Sequence, residues 1–191
     1  MREWTRKHSL GGVRFRSDIS DHEAAVLRSM VTSVVGMLDA REQETPQDDL
    51  AALTGMRSGS NEAPSDPVLA RLLPDFHRPE HDKGADPVEG ADLNGALRSL
   101  HELDIIAEKR RVAREMLASL PQGGGRVTLT PEQADSWVTA LNDVRLALGA
   151  ALGIDADTPE QLPDDDPRAG ELDIYHWATW VQDSLVQVMM Q

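Results

Sequence analysis

His77, Glu80 and His81 stand in the order H-x-x-E-H. In inverted zinc peptidases that order supplies two histidine ligands and a glutamate base. The chemistry requires a continuous helix, because helical spacing sets both imidazoles on one face. Pro79 sits inside the motif, where its ring would clash with the preceding turn. The neighbouring residues read as loop and no third ligand stands out downstream. Two exposed loop histidines are therefore favoured, and a metal-dependent hydrolase is the alternative. Gly123-Gly124-Gly125 follows a helical stretch and precedes a strand, the reverse of a phosphate-binding loop, and no G-K-[ST] follows it. No G-x-S-x-G elbow presents a serine nucleophile. No cofactor is expected.

Other polar residues lie on otherwise apolar helix stripes. Arg110 interrupts the run Leu103, Ile106, Ala113, Leu117 and Leu120. It must extend to the surface or meet a buried carboxylate, since an unpaired buried charge costs several kcal/mol, of order 3–5. Lys109, Arg110, Arg111 and Arg114 together form a basic cluster. They could meet phosphates in a DNA-binding regulator, but the flanking Glu108 and Glu115 favour a solvated face carrying ion pairs. Asn142, Asp143 and Arg145 pose the same question further on, with Asp173, Gln182 and Asp183 as candidate partners. A polar network fixing helix register is the plainer reading, and a recognition site the sharper one. Trp180, at the edge of its stripe, is the tryptophan best placed for a partly exposed contact.

The elements that position these residues are mostly helical. Val13-Arg14-Phe15-Arg16 and Arg126-Val127-Thr128-Leu129 alternate apolar with polar, the period of a half-buried strand. Each strand leads into a capped amphipathic helix: Ser20 with Glu23 opens one, Thr130-Pro131 with Gln133 the other. This apparent repeat predicts a two-stranded ribbon with its helices side by side. The first helix should run from about residue 21 to about 44, on Leu27, Met30, Val31, Val34 and Leu38. Asp66-Pro67 opens a short helix ending before Pro74, and Asp92 caps a long one reaching Leu120 whose early contacts come from Leu93, Leu97 and Leu100. The helix from Pro131 carries Trp137, Leu141, Val144, Leu148 and Ala151 on one face. Val138, Asn142, Leu146, Gly149 and Gly153 lie on another, as in a central helix. A last helix shows Ile174, Trp177, Val181, Leu185 and Val188. Loops are expected near 45–65, with one helical turn at 48–53, and near 76–92 and 155–172. The expectation is one mainly α domain over 1–191, a bundle of about five helices with a small two-stranded β-ribbon.

Composition narrows the function. Nineteen basic against thirty-three acidic residues give a net charge of −14. The mean field repels nucleic acid, although a local basic surface could override it, and a basic protein partner suits it better. With no cysteine, disulfides, thiolate metal sites and thiol switches fall away within these residues. No apolar run would span a membrane and no signal-peptide core is evident, so a cytoplasmic protein is expected.

Three stretches resemble a known family: Asp66 to Asp75 (DPVLARLLPD), Val127 to Ile154 (VTLTPEQADSWVTALNDVRLALGAALGI) and Tyr175 to Gln187 (YHWATWVQDSLVQ). They are similar to the actinobacterial domain of unknown function 2017, which includes actinomycete oxidative-stress regulators. The resemblance implies a non-enzymatic regulator of transcription or stress response. It would act through a protein partner such as a sigma factor, without a recognised DNA-binding motif. It also implies oxidant sensing by a cysteine pair, which this cysteine-free chain does not carry over. The partner's identity and the choice between monomer and homodimer stay open at this level.

Overall fold

Three strands and five helices make up the described residues of the computed structural model, namely 1–9, 11–44, 59–77, 87–163 and 165–191. The strands are β1 (Thr5–Ser9), β2 (Gly12–Ile19) and β3 (Gly125–Leu129). The helices are α1 (Asp21–Gln43), α2 (Pro67–Leu72), α3 (Pro87–Ser119), α4 (Pro131–Leu152) and α5 (Ala169–Met189). The chain divides into two compact units, one of residues 1–35 and 109–191, the other of residues 36–108.

In the first unit the two alternating stretches pair as anticipated, β2 antiparallel to β3 with Phe15 opposite Leu129 and Ser17 opposite Val127. Phe15, Ser17, Ile19, Val127 and Leu129 are buried, so one face of the sheet meets the core and the other stays polar. β1 makes the ribbon three-stranded, in the order β1-β2-β3. Its TRKHS sequence carries no apolar alternation to announce it; pairing with β2 recruits it, behind a buried Trp4. The capping boxes form at both helix starts. Glu23 Oε2 accepts from the Ser20 N–H at 2.9 Å, and Gln133 Oε1 from the Thr130 N–H at 3.0 Å.

Along α4, Trp137, Leu141 and Val144 are buried as the stripe requires, while Leu148 is half-buried and Ala151 exposed. The second face is corrected. Asn142 and Gly153 are exposed, and the other buried positions are Ala134, Ser136, Ala140, Asp143, Ala147 and Leu152. Small side chains there admit close neighbours. α5 begins at Ala169, ahead of Ile174, and adds buried Leu172 to the stripe of Val181, Leu185 and Val188. α4 and α5 pack on each other, with Gln182 Nε2 donating to the Val138 carbonyl at 2.9 Å.

In the second unit Asp66 caps α2, its Oδ1 accepting from the N–H groups of Val68 and Leu69, both at 2.9 Å. α3 begins at Pro87 rather than Asp92, because proline in the first turn lacks only an N–H that has no helical partner anyway. The expected leucine contacts do not form: Leu93 and Leu100 are exposed, the latter 67%, and Leu97 is half-buried. Arg98 and Glu102 take the inner positions instead. The turn expected at 48–53 lies outside the described residues.

Gly124 closes the turn into β3 at φ +73°, and a Cβ there would lie 2.5 Å from the Asp21 nitrogen and 2.7 Å from the Ser20 carbonyl carbon. Gly123 faces open space. Gly124→Ala should destabilise the chain by about 2–4 kcal/mol and Gly123→Ala by less than about 1 kcal/mol, as read from urea midpoints.

Candidate functional site

Two polar clusters occupy the interiors of the units, and a groove lies on the surface of the first. In the second unit, Arg98 and Glu102 are one turn apart on α3, and Arg41 lies in the last turn of α1. Each side chain is at most 7% exposed. The Glu102 carboxylate bridges them, Oε1 accepting from Arg41 Nε at 2.8 Å and Oε2 from Arg98 Nη1 at 2.6 Å. Arg41 Nη1 pairs with Glu44 at 3.4 Å, and the other donors serve the 59–77 segment. Arg98 reaches the Leu73 carbonyl at 3.1 Å and Asp75 Oδ1 at 2.8 Å, and Arg41 reaches the Glu62 carbonyl. With ion pairs on both oxygens, Glu102 ties a coil segment to two helices. The geometry is architectural.

In the first unit the structure gathers some of the predicted polar residues. Arg145 Nε donates to Thr179 Oγ1 at 2.8 Å and its Nη1 to Gln182 Oε1, while its guanidinium lies 5.8 Å from the centre of the Tyr175 ring. Asp143 is buried, but its partner is Lys109 of α3 at 2.5 Å, not Asp173, Gln182 or Asp183. Burial raises the Asp143 pKa above its ordinary 3.8, and the Lys109 hydrogen bond and charge oppose the rise. Asn142 and Asp183 are exposed and Arg110 is half-buried. In the basic cluster, Lys109 is held by Asp143 and Arg111 pairs with Glu115 at 3.1 Å, while Arg114 is exposed.

Trp180 is 41% exposed on α5. It lines an open groove of about 350 Å³ with Glu3, His176, Thr179, Asp183, Ser184 and Gln187. Thr179 links this groove to Arg145 beneath. An indole flanked by two carboxylates is suited to an amphipathic or cationic group.

His77 is half-buried and exchanges main-chain hydrogen bonds with the Asn94 amide, both at 2.8 Å. Glu80 and His81 lie outside the described residues. Among the described residues no three His, Cys, Asp or Glu side chains converge in a way that could hold a metal, and no helix is long and apolar enough to cross a membrane.

Sequence reasoning missed Arg41, Arg98 and Glu102. The signal was present: Arg41 continues the Leu27, Val31, Val34, Leu38 stripe of α1 by one helical step, and Arg98 and Glu102 are four apart in register with Ile106.

Residues 1–189 match the family model described as domain of unknown function, DUF2017. Proteins named oxidative stress regulator AosR in Mycobacterium bovis and Mycobacterium tuberculosis are 44% identical over 193 aligned residues, covering all of this chain and 88% of theirs. A Mycobacterium leprae protein named putative oxidative stress regulator AosR is 42% identical, with 89% of its length covered. No solved structure matches at a comparable level of significance.

Glu102→Ala, which strands two buried guanidiniums, should cost about 3–5 kcal/mol in urea unfolding. For Asp143, a raised folded pKa means the folded chain binds the proton more tightly than the unfolded chain. Its contribution to stability is therefore fully present below the unfolded value and is lost as pH rises through the raised one. The stability of the native chain relative to Asp143→Asn should fall as pH rises from below the ordinary carboxylate value through the raised one, and a flat difference would contradict the assignment.

Proposed function

The chain belongs to the DUF2017 family, and on that footing we propose that it is a non-enzymatic regulatory protein of the stress response that acts by binding another protein. The observation carrying this reading is the exposed Trp180 indole in its groove. Large aromatic side chains left open to water in a concave site are typical anchors for a partner. The relatives' name, oxidative stress regulator, supports a role in oxidative stress. The absence of cysteine directs that role away from thiol oxidation within these residues and toward a signal received through a partner. A transcription component such as a sigma factor is the partner class that the family resemblance suggests.

The groove suggests the chemistry of the contact. Glu3 and Asp183 beside Trp180 favour a partner residue with an apolar stem and a cationic end, arginine above all, which can stack on the indole and pair with a carboxylate. The remaining polar residues of the α4–α5 seam, Arg145 and Gln182, support the groove from below and make no direct contact in this scheme.

Trp180→Ala should reduce capture of the partner from native lysate by at least roughly ten-fold, in keeping with the roughly 2 kcal/mol or more that an anchoring tryptophan contributes, and leave far-UV circular dichroism and urea midpoint nearly unchanged. Undiminished capture by a folded Trp180→Ala protein would refute the assignment of the groove.

A further inference from the structure

Several cations elsewhere among the described residues are already held. Arg41, Arg98, Lys109, Arg111 and Arg168 form ion pairs, and Arg145 is held by hydrogen bonds. The outer face of the sheet is different. Because Phe15, Ser17 and Ile19 point into the core, Arg14, Arg16 and Asp18 of β2 point out. Residues directly opposite one another in the ladder share a face. Lys7 stands opposite Arg14, Thr5 opposite Arg16, and Arg126 opposite Asp18. Asp18 lies 3.4 Å from Arg126 and 3.9 Å from Arg2, so one carboxylate serves two guanidiniums. Among the described residues no carboxylate comes within ion-pair distance of Lys7, Arg14 or Arg16. Glu132 lies near enough to feel Arg14, though its lowered pKa owes most to the Thr130 hydrogen bond. A groove of about 330 Å³ runs across this face, lined by Arg2, Lys7, Arg16, Asp18 and Arg126 among others.

Two like charges directly opposite in an antiparallel ladder destabilise it. In a chain with fourteen surplus negative charges, a cross-strand Lys–Arg pair beside a further unpaired arginine calls for an external anion. We propose that this sheet face, through Lys7, Arg14 and Arg16, binds an acidic extended segment of a protein partner. Alternate side chains of such a segment repeat at about 6.8 Å, the spacing of Arg14 and Arg16 along β2. Nucleic acid fits less well. The face carries no aromatic side chain on which bases could stack, Asp18 and Glu3 oppose a continuous phosphate backbone, and a duplex brings many phosphates against the surplus of carboxylates. This surface shares Glu3 with the Trp180 groove, but none of its cations lines that groove, and the inference does not rest on the function proposed for the groove.

The test uses the full chain and a short fluorescent peptide of alternating Glu and Thr, with a short DNA duplex as the second arm. The peptide should bind, more weakly as salt rises, and the double variant Lys7→Glu, Arg16→Glu should lose roughly ten-fold or more of the affinity. Trp180→Ala should bind the peptide unchanged, which separates a failure here from a failure of the groove. Lys7→Glu alone should bind the peptide less well yet melt at a higher temperature, since it relieves the repulsion with Arg14. A peptide that does not bind, binds equally to the double variant, or binds more weakly than the duplex would overturn the proposal, as would a lower melting temperature for Lys7→Glu.

Discussion

Trp137 is the constraint on which the first unit depends. Its indole is fully buried and meets the Trp4 ring edge-on, with centroids 5.4 Å apart and planes at 83°. Its Nε1 donates to Ser119 Oγ at 2.7 Å. One side chain thus fixes α4 against the segment leading into β1 and against the end of α3. Aromatic pairs of this geometry contribute about 0.5–1.5 kcal/mol beyond area burial. Once α4 is so held, its small and polar side receives α5, and the Arg145–Gln182 hydrogen bond sets the register between them. Trp180 then comes to the surface because Val181 and Leu185, on the inner side of α5, are fixed in the core.

The second unit is organised on a different principle. Beside Ile106, the interior positions Arg98 and Glu102 on α3 are charged, and a bridged arginine–glutamate–arginine arrangement stands where a leucine stripe was expected. Such a cluster adds little net stability over apolar packing of the same volume, but breaking it is costly, so it favours one geometry over its neighbours. Ions are also sorted between interior and surface. The buried Arg41 and Arg98 are matched to carboxylates, whereas Lys7, Arg14 and Arg16 gather without one on the solvent face of the sheet. An overall charge of −14 conceals that arrangement.

The helices were legible in the sequence, and three of their starts were too, because capping chemistry is local: Ser20 with Glu23, Asp66 with Pro67 and Thr130 with Gln133 each act within one turn, whereas the last helix, which has no side-chain cap, begins five residues before the expected Ile174. Pairing of β2 with β3 was legible from alternation. β1 was not, since a short strand that places Arg6 opposite the buried Phe15 carries no period-two signal. The Leu93 and Leu100 assignment failed because periodicity weighs hydrophobicity alone, whereas Arg98 and Glu102 could enter the interior by neutralising one another. Of the polar candidates, Arg145 and Gln182 do meet, because both face the α4–α5 seam. Asp143 found Lys109, a partner on a helix distant in sequence that spacing on α4 and α5 could not reveal. The exposure of Trp180 followed from its place at the edge of its stripe.

We propose that the Trp180 face of α5 receives a partner while the interior polar groups serve architecture. Acrylamide quenching of tryptophan emission, on the free chain and on the chain saturated with its captured partner, tests it most directly. Trp4 and Trp137 are buried and Trp177 is half-buried, so the readily quenched component should come chiefly from Trp180 and should disappear when the partner binds. A quenchable component that persists undiminished in the complex would contradict the account.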